Sequence, residues 1–287
     1  MRPPNRRLPV SALAALLIVT LASGAAYAQL AEHDLDGVFV AGTTGEFTTL
    51  TDEERLDVCE AAAAAFGQQR TYWHVGAASL YQASRLTSAA VDRGAQRLAA
   101  LTPHYFAATE SSVLAYYERL VEVAGDVPVF AYLFAARATT TVSPELLAKV
   151  AQTGIAGVKI SGEPHEQVRR YVEALGPDSV PVYSGADGEF LEVVAAGGAG
   201  VVSGVSSALP QPFLDVRDAM RSGDEAALDT ARARARRAID VTKQGDMAHL
   251  KAVLELRGIP GSTLRAPLDP ITADERAALA ADVADLL

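Results

Sequence analysis

From residue 37 onward, short apolar segments alternate with segments that have the length and pattern of helices. The apolar segments cover residues 37–41, 71–77, 97–101, 127–133, 155–160, 180–184 and 199–203. Thr51-Asp52-Glu53-Glu54 opens the first helix between them with a capping-box pattern. Because strands that alternate with helices form parallel βαβ units, this chain is constrained to one parallel sheet covered by helices.

The N-terminal segment decides how this sheet ends, because seven strands leave an eight-stranded barrel one strand short. The apolar run at 8–21 supplies a first strand, and residues 25–33 supply its helix. Residues 1–28 also resemble a secretory signal, with Arg2, Arg6 and Arg7 before the run and small residues up to Ala28. We interpret this segment as strand 1 and the start of helix 1, because cleavage after Ala28 would open the barrel; export is the alternative.

The predicted architecture is therefore a (β/α)₈ TIM barrel over residues 1–210, followed by additional C-terminal helices over residues 211–287. No Gly-rich dinucleotide fingerprint follows any of the strands, which disfavours an open doubly wound sheet. Breaks in the C-terminal helical pattern are expected near residues 222–223 and 257–270.

The composition excludes several classes of function. The 287 residues carry a formal net charge of −10, and the Arg-rich stretch at 232–237 has the pattern of a solvated helix face, so nucleic acid and anionic membranes are not expected partners. The single cysteine, Cys59, fits a reducing compartment and predicts a cytoplasmic location. The five histidines are scattered without metal-ligand spacing, which disfavours a metal site. No cofactor is expected either.

Lys159 lies inside the apolar run Gly157-Val158-Lys159-Ile160, which is typical of a buried strand. Burial disfavours the charged form of lysine and can lower its pKa by several units from about 10.4, which would make the amine a nucleophile near neutral pH. Taken alone, the pattern fits a strand-end lysine that extends its ammonium group to water. The other residues expected at the same end of the barrel favour the catalytic interpretation.

In a TIM barrel, catalytic groups lie at the carboxyl ends of the strands and in the loops that follow. Hydroxyl, phenol, guanidinium and amine groups are expected there, from Thr43, Thr44, Tyr105, Tyr132, Arg137 and Lys159. This set suits a lysine that forms a Schiff base with a 2-oxo acid, hydroxyl groups that transfer protons and an arginine that binds a carboxylate.

In this order and spacing, Gly42-Thr43-Thr44-Gly45-Glu46, Tyr132 with Arg137, and Gly157-Val158-Lys159 resemble the dihydrodipicolinate synthase / N-acetylneuraminate lyase family of class I aldolases. The resemblance runs from about residue 30 to beyond residue 210. It implies a (β/α)₈ barrel with extra C-terminal helices, usually a homotetramer, that condenses or cleaves pyruvate-type substrates without a metal.

The resemblance also implies roles for individual residues. Lys159 matches the Schiff-base lysine, and Tyr132 matches the tyrosine that moves protons to and from the carbinolamine. Thr43 matches the threonine that links this tyrosine to a second one, which by position is Tyr105 and in the family comes from a neighbouring subunit. The remaining matches bind substrate: Thr44 holds the pyruvate carboxylate, Gly185 and Val202 line the pyruvate site, and Arg137 meets the carboxylate of the second substrate.

Several positions depart from the family pattern. Leu133 and Ala135 stand where the family usually has asparagine and proline, and His104 stands where it often has a first tyrosine. The residues Ser206-Ser207 replace a common asparagine, and the usual Thr-Pro turn after strand 1 is not recognisable. Schiff-base chemistry tolerates these changes, whereas the second substrate can differ.

We expect a Schiff-base lyase or synthase that joins or cleaves pyruvate and an aldehyde, similar to 4-hydroxy-tetrahydrodipicolinate synthase, in a homotetramer or homodimer. Within the same family the alternative is an aldolase or dehydratase of 2-keto-3-deoxy sugar acids. An alternative of another class is an exported barrel that binds an oxo acid without catalysis. A metal-dependent aldolase is disfavoured because the histidines do not cluster.

Overall fold

Eight parallel strands close into a barrel in sequence order in the computed structural model, which describes residues 16–17, 24–177, 179–259 and 264–287. The strands are β1 (Leu16–Leu17), β2 (Val38–Val40), β3 (Thr71–His74), β4 (Leu98–Leu101), β5 (Val129–Leu133), β6 (Gly157–Ile160), β7 (Val182–Ser184) and β8 (Gly200–Ser203). Each strand pairs with the next, and β8 pairs with β1. The predicted (β/α)₈ barrel is confirmed.

The strand that closes the barrel lies inside the apolar run predicted to supply it. Leu17 pairs with Val38 of β2, and Leu16 pairs with Val202 of β8. Helix α1 (Gly24–Ala31) follows, in the place expected for helix 1. The rest of the run at 8–21, the remainder of the signal-like segment and the turn after strand 1 lie outside the described residues.

Helices cover the outside of the barrel and form the region after β8. The barrel helices are α2 (Asp52–Phe66), α3 (Leu80–Asp92), α4 (Glu110–Ala124), α5 (Ala135–Ala138), α6 (Pro144–Gln152), α7 (His165–Leu175) and α8 (Phe190–Ala195). The C-terminal helices are α9 (Pro210–Ser222), α10 (Glu225–Val241), α11 (Met247–Leu256) and α12 (Ala273–Asp282). Among the described ranges, no helix is both long and apolar enough to cross a membrane.

Two elements differ from the sequence prediction. The short helix α5 follows β5 directly, and its four residues are too few to give a helical period. The C-terminal region also breaks at 242–246, where Lys243 and Gln244 have positive φ angles of 51° and 60° before Gly245. Neither residue type signals such a turn as strongly as glycine does, so the break between α10 and α11 was missed.

A buried arginine fixes the C-terminal helices to the amino end of the barrel. Arg217 of α9 is 2% exposed and lies 3.0 Å from Asp34 Oδ2 and 2.9 Å from Asp218 Oδ1. Asp34 and Asp36 directly precede β2, and Asp36 lies 3.6 Å from the same guanidinium. Because a buried guanidinium needs charged or polar partners, this cluster holds α9 against the start of β2.

Inside the barrel, an aromatic ring lies directly beside a glycine of β6. The rings of Tyr72 and Phe130 are 4.9 Å apart and meet edge to face. A Cβ atom on Gly157 would lie 2.3 Å from the ring of Phe130, which is far inside van der Waals contact. A glycine at position 157 is therefore required by the packing of Phe130, two residues before Lys159.

We expect Gly157→Ala to lower the free energy of unfolding by about 1–3 kcal/mol, because the added methyl group overpacks the barrel interior. Urea unfolding measures this loss, and the loss should be smaller in a Phe130→Leu background, where the ring is absent. Gly188→Ala is the matched control, since its Cβ would meet only Ile239 Cδ1 at 3.5 Å. Equal losses in the two backgrounds would contradict the proposed clash.

Candidate active site

Lys159 lies at the carboxyl end of β6 and is 4% exposed. Its Nζ atom is 3.9 Å from the centre of the Tyr132 ring and 4.4 Å from the centre of the Phe39 ring. Among the described residues, no carboxylate lies within ion-pair distance of this amine. The amine is thus surrounded by aromatic surface.

This environment changes the protonation of the amine. Burial lowers the pKa of Lys159 to about 7, and the carboxylate of Asp187 opposes the shift only in part. At pH 7 about half of the amines would be neutral, whereas an unshifted lysine would be neutral in about one molecule in a few thousand. The site therefore holds a nucleophilic amine at neutral pH.

Tyr132 of β5 lies beside Lys159 on the neighbouring strand, where the two residues are paired in register. Its hydroxyl group is 3.0 Å from Thr43 Oγ1. Burial raises the pKa of Tyr132, while hydrogen bonds with Thr43 and Ser161 and the charge of Arg137 lower it. The phenol thus stays protonated at neutral pH and can give a proton to a group bound at Lys159.

The loop after β2 carries Thr43 and Thr44 in two consecutive tight turns. Gly45 N–H donates to Gly42 O at 3.1 Å, and Glu46 N–H donates to Thr43 O at 2.9 Å. Within the described residues, neither the amide nor the hydroxyl of Thr44 has a hydrogen-bond partner. Both donors are therefore unoccupied within the described part of the chain.

Gly185 and Val202 lie at β7 and β8, the two strands that follow β6 around the barrel. Gly185 follows β7, and its N–H donates to Ile160 O at 2.6 Å. A Cβ atom on Gly185 would lie 2.5 Å from Ser161 Oγ, so only glycine leaves room for that hydroxyl group. Val202 is buried in β8, where the family resemblance places a backbone carbonyl in the pyruvate site.

Asp187, shortly after the carboxyl end of β7, is an acidic group near Lys159 that the sequence analysis did not identify. Burial raises its pKa to about 6, while the Ser203 hydroxyl, the amides of Val205 and Gly204, and the charge of Lys159 oppose the shift. Its Oδ1 atom is buried and has no hydrogen-bond partner among the described residues. Because Asp187 lies only two residues after the predicted site residue Gly185, its position in the sequence could have identified it as a candidate site residue.

His74 supports the loop after β2 from within the barrel. Its Nδ1 atom is 2.7 Å from Ala41 O, and its Nε2 atom is 3.1 Å from Leu101 N. Since a carbonyl only accepts and an amide N–H only donates, the ring is the neutral Nδ1–H tautomer. Burial, followed by the charge of Arg55, lowers the pKa of His74 well below its usual range. Ala41 is thereby held at a φ of 53° immediately before Gly42.

The outer residues of the predicted site lie at the surface. Arg137 is exposed on α5, and it has no ion-pair partner among the described residues. Tyr105 is 78% exposed at a φ of 78° and contacts the ring of Phe106, which is equally exposed. Within this chain the Thr43 hydroxyl therefore contacts Tyr132 and not Tyr105. His104, beside Phe47, is half-buried.

Phe134, which lies between the two departures Leu133 and Ala135, packs close to Tyr132. Side chains alternate along a strand, so Leu133 faces away from the side on which Tyr132 lies. The ring of Phe134 is 6.3 Å from that of Tyr132 and packs where a Cβ on Gly162 would lie. The aromatic ring of Phe134, and not the side chain of Leu133, thus lies beside Tyr132 at the carboxyl end of β5.

These features define a (β/α)₈ barrel with a buried amine, a phenol–threonine pair and a tight turn that carries Thr43 and Thr44 at the carboxyl ends of its strands. Residues 23–286 match the dihydrodipicolinate synthetase family. The chain belongs to this family, whose members include lyases and aldolases. The described ranges contain no group of three or more His, Cys, Asp or Glu side chains that could hold a metal ion.

Curated relatives have more than one activity. The chain is 32% identical over 255 residues to N-acetylneuraminate lyase of Rhizobium meliloti (strain 1021), covering 88% of this chain and 84% of the relative. It is 32% identical over 249 residues to 4-hydroxy-tetrahydrodipicolinate synthase of Anaeromyxobacter dehalogenans (strain 2CP-C), covering 85% and 83%. Similarity of this degree to both proteins establishes the family but leaves the second substrate open.

A solved structure shares the fold. It is YagE from E. coli K12, a prophage protein of the dihydrodipicolinic acid synthase family in complex with pyruvate. It superimposes with a TM-score of 0.87 at 21% identity, covering 96% of this chain and 99% of YagE. The barrel and the C-terminal helices are therefore those of the family fold.

Lys159→Met should raise the free energy of unfolding at pH 7 by on the order of 3 kcal/mol. In the unfolded chain Lys159 keeps its proton up to about pH 10.4, whereas burial lowers its pKa in the native state to about 7. Between these two pH values the unfolded chain binds more protons than the native chain, so the free energy of unfolding of the wild type rises with pH. The gain of the variant should therefore shrink toward pH 10 in urea titrations. Lys149→Met, which changes an exposed lysine, should show no such trend. A gain independent of pH would contradict the assignment.

Proposed function

We propose that this protein is a metal-independent lyase or synthase that joins or cleaves pyruvate and an aldehyde through a Schiff base on Lys159. The observation that carries the proposal is the amine of Lys159, with a pKa lowered to about 7, against the ring of Tyr132, whose hydroxyl bonds Thr43. A buried amine of this kind is a known route to imine formation with carbonyl compounds.

In the proposed reaction, the neutral amine attacks the C2 carbonyl carbon of the oxo acid. The carbonyl oxygen takes a proton from the Tyr132 phenol as the C–N bond forms, and the resulting phenolate takes one proton from the nitrogen, which gives the carbinolamine and restores the phenol. The phenol then protonates the hydroxyl group, which leaves as water, so that a protonated imine remains beside the Tyr132 phenolate, to which Thr43 can donate a hydrogen bond. The amide and hydroxyl of Thr44 hold the carboxylate in place.

The imine then acts as an electron sink. In the cleavage direction, the C3–C4 bond breaks, its electron pair moves toward the protonated imine nitrogen to form an enamine, and the C4 hydroxyl proton passes to the Tyr132 phenolate as the aldehyde forms. In the synthetic direction, the enamine attacks the aldehyde. Gly185 and Val202 line the oxo-acid half of the cavity, and Arg137 supplies a cation for a carboxylate on the second substrate.

Assembly and location belong to the same proposal. The exposed aromatic pair Tyr105 and Phe106 supports a homotetramer or homodimer in which Tyr105 of one copy reaches Thr43 of another. The single cysteine supports a cytoplasmic location, as a reducing compartment does not favour disulfides.

Borohydride reduction in the presence of pyruvate should attach a pyruvyl group to Lys159, detected by peptide mass spectrometry. The yield at limiting time should rise as the pH passes through about 7, because the neutral amine is the nucleophile. Lys159→Arg keeps the charge but should give no adduct, and Tyr132→Phe should slow adduct formation by about 10²–10⁴-fold through loss of proton transfer. The absence of an adduct in the wild-type protein would refute the Schiff-base proposal.

The second candidate function is cleavage of a 2-keto-3-deoxy sugar acid. It is favoured by two separate polar groups near Lys159. Asp187 interacts with the Lys159 charge and has a buried carboxylate oxygen without a partner among the described residues, and the Ser161 hydroxyl group bonds the neighbouring Tyr132. Both groups suit a polyhydroxylated chain. A second substrate that carries its own carboxylate would instead be repelled by Asp187 and attracted by Arg137.

Asp187→Asn separates these two candidates. If the substrate is a hydroxylated chain, the variant should lose about 10–100-fold in kcat/KM, the value of one hydrogen bond to a charged group. If the aldehyde carries a carboxylate, removing the negative charge should leave kcat/KM unchanged or raise it. Steady-state assays with aspartate semialdehyde plus pyruvate, and with 2-keto-3-deoxygluconate, measure both. Glu189→Gln, on the same loop, is the control for a general effect of charge removal.

A further inference from the structure

Glu46 ends the Gly42–Glu46 motif, and the proposed reaction gives it no role. It is 6% exposed and adopts a left-handed conformation with a φ of 52°. Its N–H donates to Thr43 O at 2.9 Å, and its carbonyl accepts from Thr49 N–H at 2.7 Å. Because the backbone on both sides is tied into tight turns, a displacement of Glu46 would displace Thr43 and Thr44 with it.

The side chain of Glu46 contacts helix α11 and the segment that follows it. Its Oε1 atom forms an ion pair with Nζ of Lys251 on α11. Its Oε2 atom accepts a hydrogen bond from the backbone N–H of Arg265 at 3.2 Å. The side chains of Glu46 and Lys251 are 5% and 15% exposed, so the pair is largely shielded from water.

A second connection reinforces the first. The guanidinium group of Arg265 binds both carboxylate oxygens of Glu54, at 2.9 and 2.7 Å, and lies 3.3 Å from Thr49 O. Glu54 is also the residue that completes the capping box of α2 with Thr51. The segment around Arg265 thus contacts the motif at Glu46 and, a few residues later, at Thr49 and Glu54.

The physical consequence follows from the burial of the pair. A buried carboxylate or ammonium group that loses its partner is strongly unfavourable, so the ion pair constrains the distance between the loop and α11. A non-glycine residue in the left-handed region persists only where its surroundings hold it. Thr44, whose donors are free, and Thr43, which bonds Tyr132, both lie within three residues of this constraint.

We propose that Glu46 and Lys251 are positioning residues: through this pair the C-terminal helices hold the Thr43–Thr44 turn in the geometry that binds the oxo-acid carboxylate. The pair touches neither substrate nor the reacting atoms. The inference rests on the proposed function for the identity of the ligand, but its structural part, restraint of residues 42–50 by α11, is independent of any substrate.

Three single variants and one double variant test the pair. Glu46→Gln keeps an acceptor for the Arg265 N–H but removes the charge, Lys251→Met removes the partner charge, and Lys251→Arg keeps it. We expect the first two to raise KM for pyruvate about tenfold or more, with kcat changed less than about threefold, because binding geometry and not the Lys159 chemistry is altered. Lys251→Arg, which keeps the positive charge, should retain much of the wild-type affinity for pyruvate. The double variant Glu46→Gln/Lys251→Met should have a KM for pyruvate no higher than that of either single variant, because both substitutions remove the same ion pair.

The matched control is Arg217→Met, which removes another buried cation. Arg217 pairs with Asp34 and Asp36 before β2, at the opposite end of the barrel from Glu46. This variant should lose stability to urea comparably while KM for pyruvate stays at the wild-type value. An effect on KM equal to that of Lys251→Met would show that loss of stability alone weakens the site, and would overturn the proposal.

Hydrogen exchange gives a readout that needs no substrate. Amides in residues 42–50 should exchange faster in Glu46→Gln and Lys251→Met than in the wild type, and should be unchanged in Arg217→Met. If exchange and KM in the two pair variants equal those of the wild type, the proposed restraint is wrong. If wild-type protein forms no borohydride adduct with pyruvate, the proposed function fails, and exchange at 42–50 alone then decides whether the restraint exists.

Discussion

The removal of water from the Lys159 amine is the physical constraint on which the site depends. Two aromatic faces, from Phe39 and Tyr132, replace the solvent around Nζ, and a closed barrel keeps water from the remaining side. Desolvation outweighs the attraction of the ammonium group to the Asp187 carboxylate, so the pKa of Lys159 falls toward neutrality. An open sheet with the same lysine at a strand end would leave the amine hydrated and protonated.

The turn that carries Thr43 and Thr44 is fixed at both ends by residues that do not belong to it. At its start, the neutral imidazole of His74 bonds the carbonyl of Ala41 and the amide of Leu101, and so joins β2 to β4 at the level of the turn. At its end, Glu46 is bound by the C-terminal helices. If the turn were flexible, ordering it on binding would reduce the affinity for a ligand. In this structure the donors of the turn are already held in a fixed geometry.

Much of the fold could be predicted from the sequence because its signals are local. Each strand is a short apolar run. The start of α2 is marked by the capping box of Thr51 and Glu54, and the start of α6 by the N-cap Ser143 followed by Pro144. Lys159 was identifiable because an ammonium group contradicts its apolar surroundings. The pairing of Tyr132 with Thr43 was expected from the family resemblance, and the 3.0 Å contact places them together.

The residues that were missed act across long separations in the chain. The tautomer of His74 depends on Ala41 and Leu101. The pKa of Asp187 depends on burial and on its contacts with Ser203 and Lys159. The charge of Glu46 is balanced by Lys251. A spacing rule cannot reveal such contacts, since each partner has an ordinary local context. The turn at 242–246 was missed for a related reason, because Lys243 and Gln244 adopt positive φ angles that their residue types rarely show.

The two ion clusters that join the barrel to its C-terminal helices limit how such a chain can be recombined. A crossover near residue 210 between two homologous genes would inherit Asp34, Asp36 and Glu46 from one parent and Arg217, Lys251 and Arg265 from the other. Viable chimeras require parents that agree at both clusters, or a compensating change on each side of the junction. The C-terminal helices are therefore not an interchangeable module: they are inherited together with the loop after β2.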